Sequence, residues 1–334
     1  MKAMVLHRNA LAESGPLTYE DAEKPSPGYG EVVMSVLSCG VCRSNLQVIE
    51  GERGKPPKLP LIPGHEVVGI VESVGPGVSS LMVGDRVGAQ PQYDSCGSCR
   101  LCISGMENLC QRSGRLGWSV DGGYAQYMKG KASHLHKVPD SIGDLEAAPL
   151  FCPGVTAYRA VIASGASPAS AVAVFGIGGV GHFAIQFARL FGARVIGVSR
   201  GAQHRKLALE MGADEAIDPS DSEALLELSR REEIGSSIVF APSDDSIEKA
   251  MALTRRGGTI VLGVDGNISN YRFMKGQTLK ATLVGTRKEI EEVLEIAGKG
   301  LVKTRARAMK LEDANEALCS LKENKVEGRI VLEP

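Results

Sequence analysis

The rhythm of apolar and polar residues changes near position 152. Before it, the short apolar runs EVVMSVLS (31–38), HEVVGIVESV (65–74) and DRVGAQ (85–90) are separated by the turn-forming PSPGYG (25–30) and VGPGVSS (74–80). That texture predicts an irregular, strand-dominated region. After it, the apolar run AVAVF (171–175) leads through glycines into HFAIQFARLF (182–191). Val180, Phe183, Ala184, Phe187, Leu190 and Phe191 recur there at helical spacing, Gly192 ends the helix, and RVIGVS (194–199) is a second apolar run. Strand, helix and strand in about thirty residues make a βαβ unit. The alternation continues with a helix near 203–211, SSIVFA (236–241), a helix near 245–255, a turn at Gly257-Gly258 and TIVLGV (259–264). Such alternation gives a parallel sheet wrapped by helices. Helices over 288–298 and 312–323 and a final strand RIVLEP complete the chain.

The predicted class is therefore α/β: a doubly wound, Rossmann-type parallel sheet over 152–286, and a β-rich domain over 1–151 completed by 287–334. The 334 residues suffice for two domains, and 43% hydrophobic with 23% charged residues describes a chain with a packed core. A formal net charge of -1 argues against nucleic acid or an anionic membrane as partner. No apolar stretch of signal-peptide or membrane-spanning length occurs, which makes the cytoplasm the expected compartment.

Eight cysteines in such a chain need a reason other than disulfides. Cys96, Cys99, Cys102 and Cys110 form C-x2-C-x2-C-x7-C. Thiolates so spaced converge on one ion and close a tetrahedral structural zinc site, with an iron–sulfur cluster as the rival reading. A second, open metal site has candidates in Cys39, Cys42, His65 and Cys152, with Glu66 beside the histidine.

GIGGVG (176–181) stands between an apolar strand and a helix. Gly176 permits the turn, Gly178 lets backbone approach a pyrophosphate, and Gly181 lets helix and strand pack, with Gly179 and Val180 completing the loop. At the end of the next strand, Ser199-Arg200 stands where an acidic residue would favour NAD(H), and Arg205 follows. A guanidinium there pairs with a 2′-phosphate, so NADP(H) is expected in preference to NAD(H). Leu262 and Val264, at the end of the 259–264 run, are further cofactor candidates.

Gly64-His65-Glu66-x2-Gly69-x5-Gly75-x2-Val78, the four-cysteine lobe and FCPGVTAY (151–158) occur in an order that resembles the zinc-dependent medium-chain alcohol dehydrogenases over the whole chain. The resemblance implies a GroES-like catalytic domain and two zinc ions per chain. It implies a catalytic zinc on Cys42, His65 and Cys152, backed by Glu66, and it selects Cys42 over Cys39 because Cys42 precedes Arg43-Ser44-Asn45. It further implies Arg43 and Arg329 on the cofactor pyrophosphate, Ser44 as the first carrier of the alcohol's proton, and Pro91, Gln92 and Trp118 lining the alcohol pocket. A small primary or secondary alcohol would exchange hydride with the nicotinamide, or the enzyme would reduce aldehydes like the cinnamyl-alcohol and polyol dehydrogenases, in either case as a homodimer or homotetramer. Two positions depart from the family. Gln47 replaces the histidine that ends the proton relay, and an amide does not titrate. Asn45 replaces the aspartate that orients the zinc-binding histidine.

Overall fold

Valine-rich, largely buried runs over Glu31–Gly40 and Val67–Val74 make two neighbouring antiparallel strands, with Cys39 opposite Val67. The computed structural model describes residues 1–334, and in it these strands centre a seven-stranded sheet. Arg86–Ala89 and Leu135–Lys137 extend that sheet beyond Val67–Val74. On the other side lie Arg329–Glu333 and, parallel to it, Ala306–Lys310. The register of Val331 with Gly40 brings the C-terminal strand against the end of Glu31–Gly40. Three distant segments therefore finish side by side. The core of this layer includes Met34, Val67, Val71, Val87, Tyr124 and Ile330.

The second layer follows the βαβ expectation. Six parallel strands run in the order 215–217, 194–198, 171–175, 234–239, 254–262, 278–281. Ala171–Phe175 is buried at every position, as expected of a strand covered on both faces. Gly257-Gly258, read from sequence as a turn before the strand, lies within the strand Thr254–Leu262. Pairing with Ile234–Val239 shifts between Ile234 and Ser236, and a Cβ on Gly258 would come within 2.7 Å of the Gly235 carbonyl oxygen. Close backbone approach demands glycine at 258, and a left-handed φ of 69° favours it at 257.

The chain forms two compact units: Met1–Cys152 with Thr286–Lys299 and Thr304–Pro334, and Pro153–Gly285 with Gly300–Lys303. The short piece Gly300–Lys303 belongs with the parallel sheet because the Gln186 amide donates to Lys303 O (2.9 Å) and accepts from Lys303 N–H (2.8 Å). No helix is long and apolar enough to cross a membrane.

Candidate active site and cysteine lobe

The strand Glu31–Gly40 delivers the chain into Cys42, which caps the helix Arg43–Glu50. Asn45 Oδ1 accepts from Cys42 N–H (3.1 Å), a reciprocal cap that starts the helix. The neighbouring strand begins just after His65-Glu66, and Gly40 N–H donates to Glu66 O (2.8 Å). A Cβ on Gly40 would lie 2.1 Å from Glu66 Oε2, so only glycine lets the carboxylate sit against this strand end. Cys152 precedes the helix Pro153–Ser164.

Ligand atoms of Cys42, His65, Glu66 and Cys152 all lie within 4.8 Å of one another, and all four residues are buried. The two sulfurs are 3.9 Å apart. Ser44 Oγ donates to Cys42 Sγ (3.1 Å) and is 3.4 Å from His65 Nε2, which shows that this nitrogen faces the sulfurs. Glu66 Oε2 is buried with no hydrogen-bond partner. A sulfur-rich, buried set with an orphaned carboxylate oxygen fits a zinc ion. Cys39 is also buried, but its thiol leans on its own strand, 3.9 Å from Gly40 O, outside the set.

Arg329 supplies what the sequence reading did not foresee. Its Nη2 donates to Glu66 Oε1 (3.0 Å) and lies 3.6 Å from Cys42 Sγ, while Nη1 donates to Val41 O (3.3 Å). Burial pushes the Glu66 carboxyl up and Arg329 opposes it. The Cys152 thiol and the Arg329 guanidinium hold Cys42 well below the usual thiol range. Nothing local in the sequence announces this contact, which joins residues 263 positions apart.

On the far side of His65, Asn45 Oδ1 also accepts from the Tyr124 hydroxyl (3.5 Å), which turns Nδ2 toward His65 Nδ1 (3.0 Å). Gln47, one helical turn beyond Ser44, accepts from Arg53 Nε (3.0 Å). Arg43 is exposed. Of the residues expected in the alcohol pocket, Pro91 is buried and Trp118 half-buried. The buried Gln92 amide donates to Glu107 O, leaving its Oε1 unpartnered.

Cys96, Cys99, Cys102 and Cys110 converge around the short helix Arg100–Ile103. Their sulfurs approach one another at 3.4 to 3.9 Å. A tetrahedron with zinc–sulfur bonds of about 2.3 Å has edges of about 3.8 Å, so the set fits one ion's shell and is too tight for a multi-iron cluster. Backbone N–H groups, first that of Ser98, draw Cys96 down to about 5. Arg112 Nη2 donates to the same sulfur at 3.0 Å.

In the parallel-sheet unit, Gly176 has φ 89° and a Cβ there would meet Ala241 N at 2.6 Å. A Cβ on Gly181 would meet Gly176 O at 2.1 Å, whereas around Gly178 the space is open. The turn and the packing are thus both enforced, and room remains where phosphate would lie. Gly179, Val180, Leu262 and Val264 are each half-buried. Ser199 is buried and Arg200 exposed. Arg205 is already engaged: its Nη1 donates to Ser199 O (2.8 Å), Arg200 O (2.6 Å) and Asp218 Oδ2 (2.7 Å). That leaves Arg200 as the uncommitted guanidinium at the strand end.

Comparison with known proteins agrees with this arrangement. Residues 28–140 match the alcohol dehydrogenase GroES-like domain, and residues 179–299 match the zinc-binding dehydrogenase domain. An alcohol dehydrogenase of Geobacillus stearothermophilus is 41% identical over 325 residues, covering 95% of this chain and 96% of the relative. A cobalt- and zinc-bound thermostable alcohol dehydrogenase from Pyrobaculum aerophilum superposes with TM-score 0.90 at 28% identity, over 100% of this chain and 99% of that one. A cinnamyl alcohol dehydrogenase from Sorghum bicolor gives TM-score 0.91 at 28% identity, over 99% of this chain and 97% of the other. Fold, donor sets and relatives converge, and the chain belongs to the zinc-dependent medium-chain alcohol dehydrogenases, oxidoreductases that interconvert alcohols with aldehydes or ketones.

Proposed function

We propose that Cys42, His65 and Cys152 hold a catalytic zinc ion, with Glu66 behind it, and that Cys96, Cys99, Cys102 and Cys110 hold a structural one. The observation that carries the first half is the convergence of the buried donors within 4.8 Å, with Ser44 Oγ 3.1 Å from Cys42 Sγ. When bound, the catalytic zinc acidifies an alcohol and polarises a carbonyl. The chain's own residues do the rest. Ser44 Oγ takes the substrate hydroxyl's proton while releasing its own outward. Gln47 cannot titrate, so that proton leaves through water or the cofactor ribose. The Arg329 guanidinium balances the buried Glu66 carboxylate, keeping the donor set from accumulating negative charge.

Asn45 sets how well His65 serves. A histidine ligating through Nε2 carries its proton on Nδ1, and the Asn45 amide N–H points at that same atom (3.0 Å) because Oδ1 is committed to Cys42 N–H. A carboxylate accepts from both. Asn45→Asp is therefore expected to tighten the catalytic zinc by about 10- to 100-fold, the usual range for such orienting partners. Chelator competition would measure it, and unchanged or weaker binding would count against the reading.

The proposed cofactor is NADP(H), with the pyrophosphate on Gly176–Gly181 and with Arg200 beside the 2′-phosphate. Arg200→Ala should lower kcat/KM for NADP+ about tenfold or more and leave NAD+ nearly unaffected, as the loss of one charge-assisted contact requires. A wild-type enzyme that strongly prefers NAD+ would contradict this. The substrate we propose is a small primary or secondary alcohol or its carbonyl, with an aldehyde reductase of the cinnamyl-alcohol type as the second reading, favoured by the likeness to the Sorghum bicolor enzyme. The assembly we propose is a homodimer or homotetramer of the cytoplasm.

A further inference from the structure

We infer that Tyr124 is a positioning residue for the catalytic zinc: its hydroxyl lets the Asn45 amide turn over when the Cys42–His65–Cys152 set takes up the ion. The inference rests on the zinc-site reading above and concerns the partner that His65 then needs.

Asn45 stands between two groups that an amide cannot serve in the same way. Its Oδ1 accepts from Cys42 N–H at 3.1 Å, and its Nδ2 faces His65 Nδ1 at 3.0 Å. That arrangement suits a histidine with a bare Nδ1, which accepts from the amide. A histidine that ligates through Nε2 carries its proton on Nδ1, and two donors then meet. Nε2 is the nitrogen beside Ser44 Oγ, 3.4 Å away, on the side of the sulfurs. Rotating the amide by half a turn exchanges Oδ1 and Nδ2 without moving the chain. Oδ1 then accepts from His65 Nδ1–H, a bond strengthened by the charge a metal ion induces on the ring. Nδ2 in turn needs an acceptor where Oδ1 stood.

Tyr124 occupies that side. Its hydroxyl lies 3.5 Å from Asn45 Oδ1. The residue is 0% exposed and held from several directions. A Cβ on Gly64 would come within 2.5 Å of its ring, its N–H donates to Pro63 O (2.9 Å), and its carbonyl accepts from Met4 N–H (2.8 Å). The loop presenting His65 and the ring meeting Asn45 are thus packed as one piece. A phenolic hydroxyl donates through its hydrogen and accepts through its lone pairs, so it bonds either end of the amide. Burial, then the Cys39 thiol and the Glu66 carboxyl, push its pKa up, and it keeps both roles.

The two orientations depend on this hydroxyl unequally. Before the turn, Oδ1 has Cys42 N–H as well. After it, Nδ2 faces Cys42 N–H, another donor, and Tyr124 is its acceptor. Removing the hydroxyl therefore strands a buried donor in the zinc-bound form alone. An aspartate at position 45 accepts from Cys42, His65 and Tyr124 together and has nothing to turn.

The test is chelator competition for the catalytic zinc in wild type, Tyr124→Phe, Asn45→Asp and the double variant. Tyr124→Phe should weaken that zinc about tenfold in the Asn45 protein and by less than about twofold in the Asn45→Asp protein. The zinc of the four-cysteine lobe should hold equally in all four. Unchanged affinity in Tyr124→Phe overturns the inference and leaves the zinc-site reading intact. An equal loss in both backgrounds also overturns it, because a purely structural tyrosine would act without regard to residue 45. A wild type that binds a single zinc ion, retained in Cys42→Ser, defeats the zinc-site reading and the inference with it.

Discussion

Cys42→Ser is expected to lower kcat/KM by more than about a thousandfold, about 4 kcal/mol of transition-state stabilisation, while Cys39→Ser stays close to wild type. Cys39 lies at the end of the strand Glu31–Gly40 and Cys42 caps the helix that follows; both are buried, so their difference is one of direction. Cys42 Sγ lies 3.9 Å from Cys152 Sγ, receives Ser44 Oγ, and sits 3.6 Å from Arg329. Cys39 Sγ packs in the crevice that keeps Gly64 and Gly123 as glycines, where added Cβ atoms would come within 2.8 and 3.1 Å of it. Zinc content should follow activity, falling by one ion per chain in Cys42→Ser and by none in Cys39→Ser. Equal losses in the two variants, or the reverse order, would remove Cys42 from the site.

Arg329→Met should destabilise the fold by about 3–5 kcal/mol, the range for stripping one partner from a buried ion pair. Glu66 is 0% exposed and Arg329 4%. Without the guanidinium, the carboxylate keeps only its contacts with the donor set and must remain charged in a dry place or take up a proton. Introducing the same change into Glu66→Gln should cost much less, because no charge is stranded. Denaturant unfolding of the four proteins, loaded with zinc to the same stoichiometry, measures the coupling. Additive penalties would show that the two side chains do not act as a pair.

How far each feature could be read from sequence follows from how local its cause is. The four-cysteine lobe spans fifteen residues and needs only turns to close, so spacing alone revealed it. Ala171–Phe175 and the glycine loop after it were legible because a strand buried on both faces and a phosphate-sized turn each leave a compact signature. The helix Arg43–Glu50 was not read: it has only eight residues, and its start depends on the cap between Cys42 and Asn45. The helix Ser222–Arg231 also escaped notice, although the Asp221 side chain caps it by accepting from Ala224 N–H at 3.0 Å. The turn read at Gly257-Gly258 proved to be an irregularity within a strand, because the constraint on Gly258 comes from Gly235 on another strand. Arg329 could be placed near the cofactor only by family likeness. Its embrace of Glu66 depends on sheet register, which no short window contains.

That register also bears on the order in which a growing chain can finish its catalytic centre. Cys42, His65, Glu66 and Cys152 all leave the ribosome well before Arg329, which lies 263 residues after Glu66. Until the strand Arg329–Glu333 pairs beside Gly40, the Glu66 carboxylate lacks the guanidinium that pairs with it and favours staying in water. The pocket around the donor atoms cannot close dry on a half-made chain. Synthesis thus delays the sealed centre until its last electrostatic partner has arrived.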